Sequence, residues 1–183
     1  FTAPVSGEVV SIKRGAKRAI TDVVIVADSV TKFKELKTLN PKTASREEIV
    51  EHMKESGVWP ALTQRPFGNV ADTDVEPINI FISTFDTAPL APDYHFIMDR
   101  FNARHWQAGI DALSKLTSGS VHLGMDGSRE THTLLKNTTG AEKHLFKGAH
   151  PAGNVGVQIH HIAPISKGDI VRFVGSVPAP ESP

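Results

Sequence analysis

The chain has 183 residues, 39% of them hydrophobic and 22% charged, enough to bury the core of one ordinary soluble domain. Lys and Arg together number 20, as do Asp and Glu, so no net field favours nucleic acid or an anionic lipid surface. The lack of cysteine excludes disulfides, iron–sulfur clusters and thiolate chemistry within the chain, and no apolar run approaches the roughly 18 residues of a membrane helix.

Residues 1–27 read as strands. Val5, Val9 and Ile12 flank Gly7, Arg14-Gly15-Ala16-Lys17 makes a turn, and Val23-Val24-Ile25-Val26 is a β-branched run. The expectation is a hairpin with too little sheet to stand alone, whose remaining partners lie upstream of Phe1. The chain opens Phe1-Thr2-Ala3-Pro4 without a methionine or a signal peptide and closes in the Pro-rich Val177–Pro183, as a piece cut from a larger protein would.

Residues 28–44 read as a linker. Ser45-Arg46-Glu47-Glu48 is a capping box, so a helix follows with Ile49, Val50 and Met53 on its buried stripe. It ends at Gly57, where a rigid loop begins, Glu55–Gly68. Pro60 and Pro66 fix φ there on either side of Trp59 and Arg65, and glycine permits φ > 0. Trp59, Arg65 and Phe67 fall within nine residues and could stack on or cradle a planar or anionic group; equally, the two aromatics could plug the core and Arg65 pair with a carboxylate.

Residues 70–77 form a polar loop with Asp72, Asp74 and Glu76. Ile78–Ile82 has the near-continuous apolar pattern of a strand covered on both faces. Trp106, Ile110 and Leu113 repeat at helical spacing through Ala103–Leu116. Val121–Met125 reads as a strand, Glu130–Leu135 as a short helix and His144–Phe146 as a third strand, and His150–Asn154 opens a last helix carrying Val157, Ile159 and Ile162. This alternation predicts an α/β layer fold with right-handed crossovers, in which ligands sit beyond the carboxyl ends of the strands.

Catalytic and cofactor motifs are missing. No two glycines are separated by a single residue, so there is no dinucleotide fingerprint, and Gly-Lys-Ser/Thr, G-x-S-x-G and H-E-x-x-H do not occur. Of the nine histidines, His144, His150, His160 and His161 are densest; adjacent His160 and His161 diverge on a helix, so no metal site is expected. Asp72, Asp74 and Glu76 lack the glycine and distal glutamate of an EF-hand loop and read as solvated.

Four stretches nevertheless resemble one family. Phe1–Pro4 with Gly7 and Arg14–Arg18, Ser56–Leu62 with Arg65-Pro66-Phe67, Asp86–Ala91, and His150–Gly156 together are similar to the NqrA family, which supplies one subunit of the bacterial Na+-translocating NADH:quinone reductase. The resemblance implies an α/β protein: a Rossmann-like layered parallel sheet domain over residues 31–165, similar to the flavin-carrying subunit of respiratory complex I. Residues 1–30 would be β strands of a partial barrel-sandwich (biotinyl/lipoyl-like) domain, and residues 166–183 a tail. In the flavin-carrying relatives the loop equivalent to Ser56–Phe67 is Gly-rich, so that amides can approach a phosphate. Here Val58, Trp59 and Pro60 fill that place, and the His150–Gly153 turn reads as structural.

The resemblance therefore implies a peripheral subunit on the cytoplasmic side of the bacterial inner membrane. It would have no catalytic residue, flavin, NADH site or metal of its own, inside a complex that uses NADH, flavins and ubiquinone. Other subunits are its expected partners, and Trp59, Arg65 and Phe67 its candidate quinone contacts. Two other readings stand beside this one: a stand-alone flavin- or nucleotide-binding oxidoreductase domain, and a purely structural binding module.

Overall fold

The computed structural model describes residues 2–174. Strands β1 (Gly7–Arg14) and β2 (Ile20–Ala27) pair antiparallel in a two-stranded sheet of their own, across a turn at the predicted place. Val9, Ile12 and Val26 are each more than half exposed, so this hairpin closes no core among the described residues. Residues 28–40, without regular structure, lead to helix α1 (Arg46–Glu55). Its capping box is complete: the Ser45 hydroxyl accepts the Glu48 N–H at 3.2 Å, and the Glu48 carboxylate accepts the Ser45 N–H at 2.8 Å.

The rest is an α/β layer structure. Its strands are β3 (Thr63–Arg65), β4 (Asn69–Val70), β5 (Asn79–Ser83), β6 (Val121–Asp126), β7 (Glu142–Phe146) and β8 (Val171–Val174). They lie side by side in the order β4-β3-β8-β5-β6-β7. Between them run helices α2 (Tyr94–Met98), α3 (Ala103–Ser114), α4 (Thr133–Asn137) and α5 (Val155–Ile162). Successive side chains of a strand point to opposite faces, which divides the core in two. Ile80, Ile82, Val121 and Leu123 pack with Ile49 and Val50 of α1, Ile110 of α3, and Leu134 and Leu135 of α4. On the other face Phe81 and Val171 pack with Ile159 of α5.

Two glycines let the layers approach. A Cβ on Gly124 would lie 2.1 Å from the Gln158 side-chain oxygen, so glycine here leaves room for the buried Gln158 side chain of α5 against β6. A Cβ on Gly153 would lie 2.6 Å from the Thr87 nitrogen, so the Asp86–Ala91 and His150–Gly156 stretches, distant in sequence, are packed backbone to backbone.

The structure corrects four expectations. The sheet is mixed: β8, β5, β6 and β7 are mutually parallel, but β3 runs antiparallel to both β8 and β4. The tail expected over 166–183 begins instead with a central strand, because Val171–Val174 fill the slot between β3 and β5; Val171 and Arg172 are fully buried. The Pro-rich Val177–Pro183 lies outside the described residues. The loop after Gly57 contains strand β3, hidden in the sequence because Thr63-Gln64-Arg65 is short, polar and bracketed by prolines. The helix expected over Glu130–Leu135 spans Thr133–Asn137, and the five-residue α2 had no signal long enough to read.

If β8 is integral to the sheet, ending the chain after Lys167 leaves the edges of β3 and β5 unpaired. Circular dichroism and urea unfolding of that shortened chain are expected to show loss of the cooperative transition.

Candidate functional site

The Glu55–Gly68 stretch is built on a buried cation. Gly57, at φ +76°, stops α1 in the left-handed conformation that glycine adopts without strain. A single 3-10 turn over Trp59–Ala61 then drops the Trp59 ring into the core, where it is 5% exposed and its indole N–H donates to the Ala71 carbonyl at 2.8 Å. The guanidinium carbon of Arg172 lies 5.2 Å from the Trp59 ring centroid. Arg172 Nη2 donates to the carbonyls of Asp72 and Val75, and Arg46 Nη2 donates to those of Thr73 and Val75. The 70–77 loop, which reads as solvated, thus turns its backbone oxygens inward around two arginines. Arg172 Nε and Nη1 have no partner among the described residues. Burial pulls the guanidinium down to about 10, with Arg46 adding to the effect and Asp72 and Glu76 opposing it.

The three loop residues singled out in the sequence are not gathered round one ligand. Trp59 presents no free face, since the core encloses it. Among the described residues Arg65 meets no carboxylate and its buried Nε has no partner; it lies over the Phe173 ring at 5.1 Å. Phe67 is 86% exposed on a turn, so it plugs nothing.

Four of the amides in the loop after α1 are engaged internally. Gly57 N–H donates to Lys54 O, Val58 N–H to Met53 O, Ala61 N–H to Val58 O and Leu62 N–H to Trp59 O, while Pro60 has no N–H to give. At the start of α5 the Asn154 side chain takes the Gly156 N–H at 2.8 Å, and Thr87 Oγ takes the Gly153 N–H at 3.0 Å.

The cavity that the topology does create lies elsewhere, beyond the carboxyl ends of β5 and β8, where neighbouring strands cease to follow chain order. It encloses about 290 Å3 and is lined by Ile82, Thr84, Tyr94, Met98, Phe101 and Trp106, with Val174 at the end of β8. The Trp106 ring is fixed by its N–H donating to Thr138 Oγ at 2.8 Å and by Phe101 stacked at 6.1 Å. Thr84 Oγ donates to Gly124 O at 2.9 Å, and Ser83 Oγ to Phe85 O at 2.9 Å, so the floor is apolar in effect. The Tyr94 hydroxyl makes no hydrogen bond among the described residues. Sequence reasoning missed this site, because its aromatics come from α2, α3 and the turn between them, and each reads singly as core.

Charge pins the helix that carries Tyr94 and Met98. Arg129 Nη2 donates to Asp93 Oδ1 at 2.9 Å, and its Nε lies 3.3 Å from Asp126; His132 Nε2 lies 3.0 Å from Asp99. The Arg129 hydrogen bond holds the Asp93 carboxyl below the usual carboxylate range. His95, edge-on to His132 with 5.3 Å between ring centroids, is held below the ordinary imidazole value, chiefly by burial; Arg129 and His132 add to this, and Asp93 and Asp126 oppose it.

Comparisons with known proteins match this architecture. The family profile described as "NqrA second alpha/beta domain" matches residues 44–177, and that described as "NqrA N-terminal barrel-sandwich hybrid domain" matches residues 1–28. The NqrA subunit of the Na(+)-translocating NADH-quinone reductase of Psychromonas ingrahamii is 38% identical over 168 residues, 91% of this chain and 37% of that protein. Its counterpart in Rhodopirellula baltica is 36% identical over 180 residues, 96% of this chain and 39% of that one. The counterpart in Aliivibrio salmonicida is 36% identical over 182 residues, again 96% and 39%. The chain thus spans under two fifths of the length of these relatives.

Replacing Arg172 by Leu strands the Asp72 carbonyl and leaves that of Val75 to Arg46 alone, and urea unfolding is expected to show a loss of about 3 kcal/mol. The His95 shift sets a pH trend. The unfolded chain takes up that proton more readily than the folded one. Stability therefore falls as pH drops below about 6.5, and levels off once the depressed folded value is passed. Thermal melts across this range are expected to show a smaller acid loss in His95→Gln than in the parent chain.

Proposed function

The chain belongs to the NqrA family, and from that membership we propose that it is a peripheral, flavin-free part of a Na+-translocating NADH:quinone reductase that contributes an apolar pocket for the quinone ring. The observation that carries this reading is the aromatic-lined cavity beyond β5 and β8. Its volume of about 290 Å3 suits a single substituted ring, and Tyr94 offers one hydroxyl for a quinone carbonyl. Small-molecule sites typically run from about 300 to 1,000 Å3, with few polar groups on apolar walls, so a dinucleotide would find this cavity too small.

The internally engaged amides around Gly57–Leu62 and at the start of α5 support the absence of a flavin or NADH site in this chain. NADH and flavins would then be held by the other subunits of the complex, to which this one docks on the cytoplasmic side of the membrane. Among the described residues no helix is long and apolar enough to cross a membrane. Residues 1–30 serve as the structural half of a barrel-sandwich domain, and residues 31–165, completed by β8, carry the pocket. Within the Glu55–Gly68 stretch, Trp59 acts as the anchor and Arg65 is held over Phe173 on the α5 side of the sheet, while exposed Phe67 is left to meet the quinone's substituents or another subunit.

The two tryptophans separate the alternatives, because one lines the cavity and the other is sealed in the core. Titration with a short-chain ubiquinone is expected to quench the fluorescence saturably. The quench should persist in Trp59→Phe, vanish in Trp106→Phe, and require about tenfold more quinone in Tyr94→Phe, the equivalent of one lost hydrogen bond of about 1.4 kcal/mol. No saturable quench, in a sample that a collisional quencher does reach, would leave a structural module. Yellow protein carrying flavin would instead identify a nucleotide-binding oxidoreductase.

A further inference from the structure

On the face of the sheet opposite this cavity, three side chains converge that the quinone reading leaves unused. We propose that His122, Glu142 and His144 bind one divalent transition-metal ion of the zinc class, with an open coordination position toward a neighbouring cavity.

The backbone dictates the meeting. In the parallel pair β6–β7, Glu142 stands in register with His122, and His144 with Gly124. The two-residue period puts all three side chains on the α5 face. Gly124, opposite His144, carries no side chain of its own, and the two imidazoles meet diagonally across the strand pair.

His122 Nδ1 lies 3.1 Å from His144 Nε2 and 3.5 Å from Glu142 Oε2, and all three ligand atoms fall within 4.8 Å of one another. Tetrahedral zinc, with nitrogen and oxygen ligands at roughly 2.0–2.2 Å, holds such atoms about 3.3 Å apart. Two edges of the triangle already have this length. The third closes by rotation of the Glu142 side chain, which is 58% exposed.

Proton counting favours a cation over a hydrogen bond. Nδ1 of His122 faces both the other imidazole and the carboxylate. If it carries the proton and donates to His144, it has none for Glu142 Oε2. If His144 donates to it instead, its lone pair is engaged and the carboxylate faces no donor. One cation at the centre satisfies all three lone pairs.

The surroundings are those of a ligand set held in place. Ser120 Oγ donates to Glu142 Oε1 at 2.5 Å, which leaves Oε2 for an ion, and the Phe81 ring stacks on His122 at 4.8 Å and fixes its plane. Two imidazoles and one carboxylate, with no thiolate, suit zinc-like ions rather than Mg2+ or Ca2+. Beside them opens a cavity of about 670 Å3, also lined by Asn79 and His161, which leaves the fourth position to water or to His161.

The test titrates Co2+ into the chelator-stripped full chain. One equivalent is expected to give the visible absorption of four- or five-coordinate cobalt, displaced by one equivalent of Zn2+. His144→Ala should abolish the band and Ser120→Ala weaken binding about tenfold, as loss of a hydrogen bond behind a ligand does. His150→Ala, outside the cluster, should bind like the parent. Buried His122 is left intact, and an unchanged metal-free melting temperature shows that His144→Ala still folds. A folded parent chain that gives no band, or a His144→Ala variant that binds as the parent does, overturns the proposal.

Discussion

Arg172 sits in the middle of a sheet strand and, among the described residues, forms no ion pair with a carboxylate. Its charge is balanced instead by the Trp59 ring on one side and by backbone carbonyls from the 70–77 loop on the other. A cation in such a place is costly unless its donors are occupied, so the loop and the indole are both obliged to close over it. This obligation ties together four separate parts of the chain: the start of α1 through Arg46, the Trp59 turn, the acidic loop and strand β8. The acidic residues of the loop take part through the field they add, while their backbone does the bonding. The aromatic stretch that looked in the sequence like a ligand platform is, at Trp59, the lid of this internal site.

The parts of the fold governed by local chemistry were legible. The Ser45 capping box, the apolar Ile80-Phe81-Ile82 run and the helical spacing of Trp106 and Ile110 each encode their element within a few residues, and each forms as read. Long-range pairing was not legible. Val171-Arg172-Phe173-Val174 reads as an exposed or terminal segment because an arginine interrupts it, and only the carbonyls of the 70–77 loop make that arginine tolerable in the interior. The histidines repeat the lesson. Density along the chain favoured His144, His150, His160 and His161, whereas the register of β6 against β7 selects His122, Glu142 and His144. Of the candidate site, the sequence carried the rule that ligands sit beyond strand ends; Tyr94 and Phe101 lay in stretches too short or too Pro-flanked to be assigned to it.

The two halves of the described chain differ in how they are held. In the α/β layer, apolar side chains from both faces of the sheet are enclosed by helices, and Gly153 allows backbone to approach backbone while Gly124 makes room for the Gln158 side chain. The β1–β2 hairpin has hydrogen bonds but almost no enclosed surface, and a two-stranded sheet gains too little from pairing to persist without further packing. Family relationship and physics agree here: the segment matched as part of a barrel-sandwich domain has the exposed valines that the rest of such a sandwich would cover.

Strand β8 also has a consequence for how the molecule comes into being. It is the last of the described strands to leave the ribosome, yet its place is between β3 and β5, so the sheet cannot be assembled in the order of synthesis. Until Val171–Val174 emerge, the nascent chain holds two partial sheets with facing, unpaired edges and, beside them, an Asp72 carbonyl without its arginine donor. Such edges invite pairing with other chains. Closure of this six-stranded sheet therefore waits for β8, and the interval before it is when a chaperone would have most to protect.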